Sequence, residues 1–204
     1  MSTQEITALL LFATAMSFTP GPNTTLSTAL AANFGLRRAL GFIVAVPTGW
    51  TLMMLACGLG LGALVLAMPM LRLAVKAFGI AYLVWLAWKL ARSSTLGEAT
   101  GDRLRVSFAQ GVALQFVNIK AWMLALALAG GWVATSAGQP TSNPGERLAI
   151  VCVVMLGFAL TSNLAYALTG ALLRRWLSQG ARLLWFNRAM GALLLATAGW
   201  MALA

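Results

Sequence analysis

Of 204 residues, 60% are hydrophobic and only 9% charged, and the mean hydropathy is +0.85. That balance excludes a soluble domain and defines a polytopic membrane protein. A net charge of +10 would suit a nucleic-acid binder, yet no basic stripe interleaved with aromatics is present to make one; the charges collect between apolar runs, as loops on the inner face of a membrane do.

Residue types narrow the chemistry further. There is no His, and the four acids, Glu5, Glu98, Asp102 and Glu146, all fall in tails or loops. A metal site, a bound cofactor and an intramembrane general base are therefore not expected, and neither is an enzyme. Cys57 and Cys152, one in each half of the chain, lie in apolar runs without a CxxC pair. Burial as small apolar residues explains them, and a membrane thiol-disulfide relay is the alternative they leave open.

Hydropathy predicts six helical spans, at 5–35, 39–67, 70–91, 106–136, 147–172 and 184–203. Strands of a barrel would need an alternation of polar and apolar residues that is absent, so the fold is read as all-α. A five-span reading stays open, because only Met68-Pro69-Met70 separates the second segment from the third. The N-terminus lacks the basic start of a cleaved leader and is read as the first span.

Within that first span, Thr19-Pro20-Gly21-Pro22-Asn23 cannot be a continuous helix: two prolines remove two donors and fix two φ angles around a glycine. Broken helices persist in hydrocarbon only where protein or a wet cavity covers the freed backbone. The half-helix beginning at Asn23 would turn free N–H groups and a positive dipole end toward an anion such as a carboxylate.

Glycines 58, 60 and 62 in the second span suit close helix approach. After the third span comes the one hydrophilic linker, 93–104, which separates residues 1–92 from 105–204. Three spans in each half place the halves in opposite orientation, as two inverted repeats of a single membrane domain. With both termini outside, ten basic loop residues lie inside (Arg37, Arg38, Lys89, Arg92, Arg103, Arg105, Arg174, Arg175, Arg182, Arg188) against three outside (Arg72, Lys76, Arg147).

The fourth span carries Gln115-Phe116-Val117-Asn118-Ile119-Lys120 at the depth where the first is broken. Lys120 is read as the only ionisable residue well inside a span. Burying a lysine at mid-span costs about 2.5–3.5 kcal/mol on insertion scales, so it should either snorkel to the interface or face a wet cavity as a cation for an anionic solute. Asn163 and Tyr166 in the fifth span, with Ser162, form a polar patch suited to helix packing or to cavity lining. The candidate binding residues are Pro20, Gly21, Pro22, Asn23, Gln115, Asn118 and Lys120, with Thr19, Asn163 and Tyr166 as further cavity lining.

Over essentially its whole length the chain resembles the LysE/RhtB family of amino-acid exporters. The residues that carry the likeness are Thr19-Pro20-Gly21-Pro22-Asn23, the run Gly79-Ile-Ala-Tyr82-Leu-Val-Trp85-Leu-Ala-Trp88-Lys89, the Asn118/Lys120 pair, and Asn187-Arg188 with Gly191. Gln115-Phe116-Val117-Asn118-Ile119-Lys120 is most similar to the cysteine/O-acetylserine efflux branch. Ile119 stands where most members carry proline, which leaves the fourth span without a second helix-breaking residue. Gly49-Trp50 stands where many carry Gly-Asp, which argues against dibasic substrates. The resemblance implies a transporter of the bacterial inner membrane that exports small neutral amino acids or derivatives, cysteine and O-acetylserine first among them, with protons as coupling ion. The expected partners are that substrate and the lipid bilayer, with room for a homo-oligomer.

Overall fold

The computed structural model describes residues 1–93, 106–136 and 138–203. Helix α1 (Thr3–Phe18) opens on a reciprocal cap in which the Glu5 N–H donates to Ser2 Oγ and the Ser2 N–H to Glu5 Oε2. Helix α2 (Pro22–Phe34) follows after three residues, and α3 (Leu36–Gly58) after a turn at Gly35. The second predicted span is not one helix. It stops at Gly58, and Gly60, in the left-handed region at φ 104°, redirects the chain into the short α4 (Leu61–Ala67).

Helix α5 (Pro69–Ala91) ends the first half. Apart from Ser93, the predicted linker 93–104 lies outside the described residues, as do Glu98, Asp102, Arg103 and Arg105. Helix α6 (Phe108–Val117) again opens on a reciprocal cap, between Ser107 and Gln110. Helix α7 (Ile119–Leu128) runs into a π-helical turn, Ala129–Ala134. The two-residue strands β1 (Thr135–Ser136) and β2 (Gln139–Pro140) pair antiparallel in the loop before α8 (Pro144–Leu177), and α9 (Arg182–Leu203) completes the chain. α8 is longer than the predicted 147–172, because Pro144 is tolerated in its first turn and no breaker follows Leu172 until Gly180.

Helices α3, α5 and α8 are each long and apolar enough to cross a membrane, and α6 with its continuation to Ala134 makes a fourth candidate, bent by 67°. The molecule is an all-α polytopic membrane protein. Arg72 and Lys76 both stand within α5, Lys76 two turns from its start.

Two large apolar clusters make most of the core, with a small third at Ala32, Leu177 and Leu183. One gathers Leu26, Phe42, Ile43, Leu86, Leu90 and Leu114; the other gathers Leu9, Met53, Met54, Leu128, Val151 and Met155. Backbones come unusually close at two glycines. A Cβ on Gly79 would lie 2.0 Å from the Val117 carbonyl oxygen, and one on Gly170 2.2 Å from that of Thr28. At one end of the bundle, Arg147 is ion-paired with Glu5 while its Nε donates to the Trp132 carbonyl at 2.6 Å. At the end where α5 and α8 stop and α9 starts, Lys89, Arg92, Arg182 and Arg188 lie over the rings of Trp85, Trp88, Trp176 and Trp185.

Candidate functional site

Proline dictates the first break. A residue before proline is pushed to extended geometry, and both such residues here obey: Thr19 at ψ 127° and Gly21 at φ −171°. Pro22 then serves as the first residue of α2, where its missing donor costs nothing. Four carbonyls at the end of α1 lose their helical donors. Pro20 and Pro22 bring no N–H to Met16 and Phe18, the Gly21 N–H goes to Thr24 Oγ1 at 3.0 Å instead of to Ser17, and the chain turns away from Thr19.

Distant side chains fill two of the four. Tyr166 Oη donates to the Phe18 carbonyl at 2.9 Å, and Lys120 Nζ to the Thr19 carbonyl at 2.9 Å. The Lys120 side chain lies along Gly21, with a Cβ there falling 3.4 Å from its Cδ. It reaches sideways to the first break.

No proline enforces the second break, and it forms nonetheless. Asn118 is extended at φ −90°, ψ 103°, and its Oδ1 accepts the Lys120 N–H at 3.1 Å, so the asparagine both ends α6 and caps α7. Trp122 Nε1 donates to the Phe116 carbonyl at 2.7 Å and satisfies backbone that the bend has freed.

The two breaks meet. Asn23 and Gln115 exchange amide hydrogen bonds of 2.9 and 3.1 Å, and Gln115 also donates to the Gly111 carbonyl. Between the breaks lies a cavity of about 60 Å³. Thr19, Gly21, Pro22, Asn23, Asn118, Lys120 and Asn163 of the predicted residues line it. Pro20, Gln115 and Tyr166 are not on its wall: Gln115 is fully buried behind Asn23, and Tyr166 holds the end of α1. Asn163 Oδ1 accepts from Ser27 Oγ at 2.8 Å, so the fifth-span patch serves packing as well as lining.

Sequence reading missed the apolar part of the wall. Val46, Trp50, Ala121, Leu124 and Met155 close it, at the joint between the two apolar clusters, and nothing marks them apart from other core residues. Trp50 is 5% exposed, and its Nε1 has no hydrogen-bond partner among the described residues. Met16 and Ser17, the owners of the two carbonyls left over at the first break, are also on the wall. Cys57 and Cys152 are buried free thiols in the second apolar cluster, and neither lines the cavity.

Apolar helices interrupted at two facing breaks, around a small cavity whose wall, among the described residues, carries one cation and no acid, define a membrane translocator of small solutes. The LysE type translocator family matches residues 14–204, and the chain belongs to it. It is 30% identical to the cysteine/O-acetylserine efflux protein of Klebsiella pneumoniae subsp. pneumoniae, over 93% of this chain and 94% of that one. It is likewise 30% identical to the protein of the same name from Escherichia coli strain K12, over 81% of this chain and 82% of that one. No solved structure matches it.

Proposed function

We propose that the protein exports small neutral amino acids or their derivatives across the bacterial inner membrane, with cysteine and O-acetylserine as its first substrates and the proton gradient as its drive. The observation that carries this is Lys120, brought from the second break to within 2.9 Å of the first, on a cavity wall that, among the described residues, offers no carboxylate to neutralise it. A zwitterion supplies that carboxylate. Its anionic end sits between Lys120 Nζ and the first N–H groups of α2, at Asn23 and Thr24, which precede the helix's first internal bond from Thr25 to Gly21. Its ammonium faces the carbonyls of Met16 and Ser17. Relatives named for cysteine and O-acetylserine efflux support the substrate class.

Six spans in two inverted repeats, residues 1–92 and 105–204 around the linker 93–104, carry this site, with both termini outside. Each half begins on the same kind of Ser-x-x-Glu/Gln cap and breaks its first span, which supports the repeat. Access alternates as the halves rock about the cavity. Among the described residues, Lys120 is the one titratable side chain on the wall and the candidate proton carrier.

Uptake of labelled O-acetylserine and cysteine into proteoliposomes, with and without an imposed pH gradient, tests the proposal beside Lys120→Met. Gradient-dependent transport that the variant loses while still inserting and folding is the expected result. Equal transport by the variant removes Lys120 from the site, and transport by wild type that ignores the gradient removes the proton.

A further inference from the structure

Helix α5 is held by one half of its length. Its buried residues, Gly79, Leu83, Leu86, Ala87 and Leu90, all lie from Gly79 onward, while Met70, Leu73 and Phe78 stand exposed. The N-terminal half stands off from α7. Between them runs a groove of about 630 Å³ whose wall includes Val65, Arg72, Leu73, Lys76, Trp122 and Met123.

Its chemistry is two-sided. Arg72 and Lys76 are four residues apart and share one face of α5, where like charges repel. Neither has an ion-pair or hydrogen-bond partner among the described residues; of the described acids, Glu5 is engaged by Arg147 and Glu146 accepts from Asn143. Lys76 stands about 10 Å along the axis from Pro69 at 1.5 Å per residue, deep enough in an apolar helix that an uncompensated charge is costly. The opposite wall is apolar, because the one polar atom of Trp122 is turned away to the Phe116 carbonyl.

We propose that this groove is a binding site for an anionic phospholipid, its phosphate held by Arg72 and Lys76 and an acyl chain laid along Leu73, Trp122 and Met123. Charge decides against a second copy of the chain as occupant. The protein carries +10, and a two-fold contact through this face would set Arg72 and Lys76 against their own counterparts. Arg and Lys side chains both make charge-assisted hydrogen bonds to phosphate, and the apolar wall beside them suits the chain of the same lipid. Lys120 faces the cavity on the other side of α7, so a lipid seated here would press on the helix that carries it.

Native mass spectrometry of the full chain, released from phosphatidylcholine nanodiscs doped with phosphatidylglycerol, tests this. Wild type should retain phosphatidylglycerol over phosphatidylcholine by about tenfold or more, two cations each contributing to the headgroup. Arg72→Gln/Lys76→Gln should lose the preference and Arg72→Lys/Lys76→Arg keep it. Met123→Trp, which fills the groove and leaves both cations, should also lower retention, and it decides the matter if the double glutamine variant does not fold. An unchanged preference in the glutamine variant, or unchanged retention in the Met123→Trp variant, overturns the proposal. So does a melting temperature raised as much by inorganic phosphate as by phosphatidylglycerol, which would make the site one for a free anion, or a dimer that those same substitutions dissolve.

Discussion

The two breaks that face each other across the cavity do the same job by different means. At the first, Pro20 and Pro22 remove donors covalently and hold Thr19 and Gly21 extended, so α1 and α2 stay apart whatever surrounds them. At the second, every residue from Gln115 to Lys120 could be helical, and α6 and α7 are separated by one side chain, Asn118, which accepts the Lys120 N–H. The first break is built into the backbone, whereas the second is a conformational choice worth about 1 kcal/mol of capping energy. Of the two, the second is the one able to change conformation, and it carries the cation.

Packing supplies what the second break lacks in covalent enforcement, and there the largest effect is expected. Val117, the last residue of α6, has its carbonyl against Gly79, where a Cβ would lie 2.0 Å away. Gly79→Ala must push α5 from α6 and should cost about 1–3 kcal/mol, the range of overpacked cores. Gly157→Ala, where nothing stands within 4 Å, should instead stabilise α8 slightly, by about 0.5–1 kcal/mol. Melting temperatures of the two variants in detergent separate the cases.

Asn118→Ala comes next, with an expected loss of about 1 kcal/mol, 2 at most. Its signature is local: hydrogen exchange should quicken at the Lys120 amide and leave the start of α2 unchanged. A uniform change at both breaks would show that they are not independent. Tyr166→Phe probes the first break in turn by removing the donor to the Phe18 carbonyl. It should cost about 0.5–1.5 kcal/mol, as one intramolecular hydrogen bond does, with the break itself intact because the prolines remain.

This contrast also explains what the sequence made legible. Prolines act locally and announce themselves, so the first break and the start of α2 could be read directly. Polar residues in an apolar run announce themselves too, which is why Asn23, Asn118 and Lys120 could be picked out as cavity residues. Hidden from the sequence were partnerships across long separations: Lys120 with Thr19, Tyr166 with Phe18, Asn23 with Gln115. Only the fold brings these together, and for that reason Gln115 read as a binding residue and Tyr166 as lining when they hold other residues in place. The apolar wall was invisible because Val46 and Met155 differ from core residues in position alone. The interruption at Leu59-Gly60 was obscured by glycines equally suited to helix packing.

The smallest effect offers the sharpest test, because it asks whether the second break can be turned into the first. Ile119 is the opening residue of α7, the place where proline is tolerated, and Asn118 before it is already extended at φ −90°, ψ 103°, close to what a following proline demands. Ile119→Pro should therefore fold. By restricting the unfolded chain it should gain about 0.4–1 kcal/mol, less whatever the half-buried isoleucine loses in packing. In the Asn118→Ala background the gain should be larger, since proline then imposes the break that the asparagine side chain no longer holds; the two substitutions should be non-additive in the stabilising direction. Melting temperatures of the two single variants and the double variant close that cycle. Simple additivity would mean that Asn118 does something at the break other than cap it. Non-additive rescue with slowed transport would mean that the break is meant to give way.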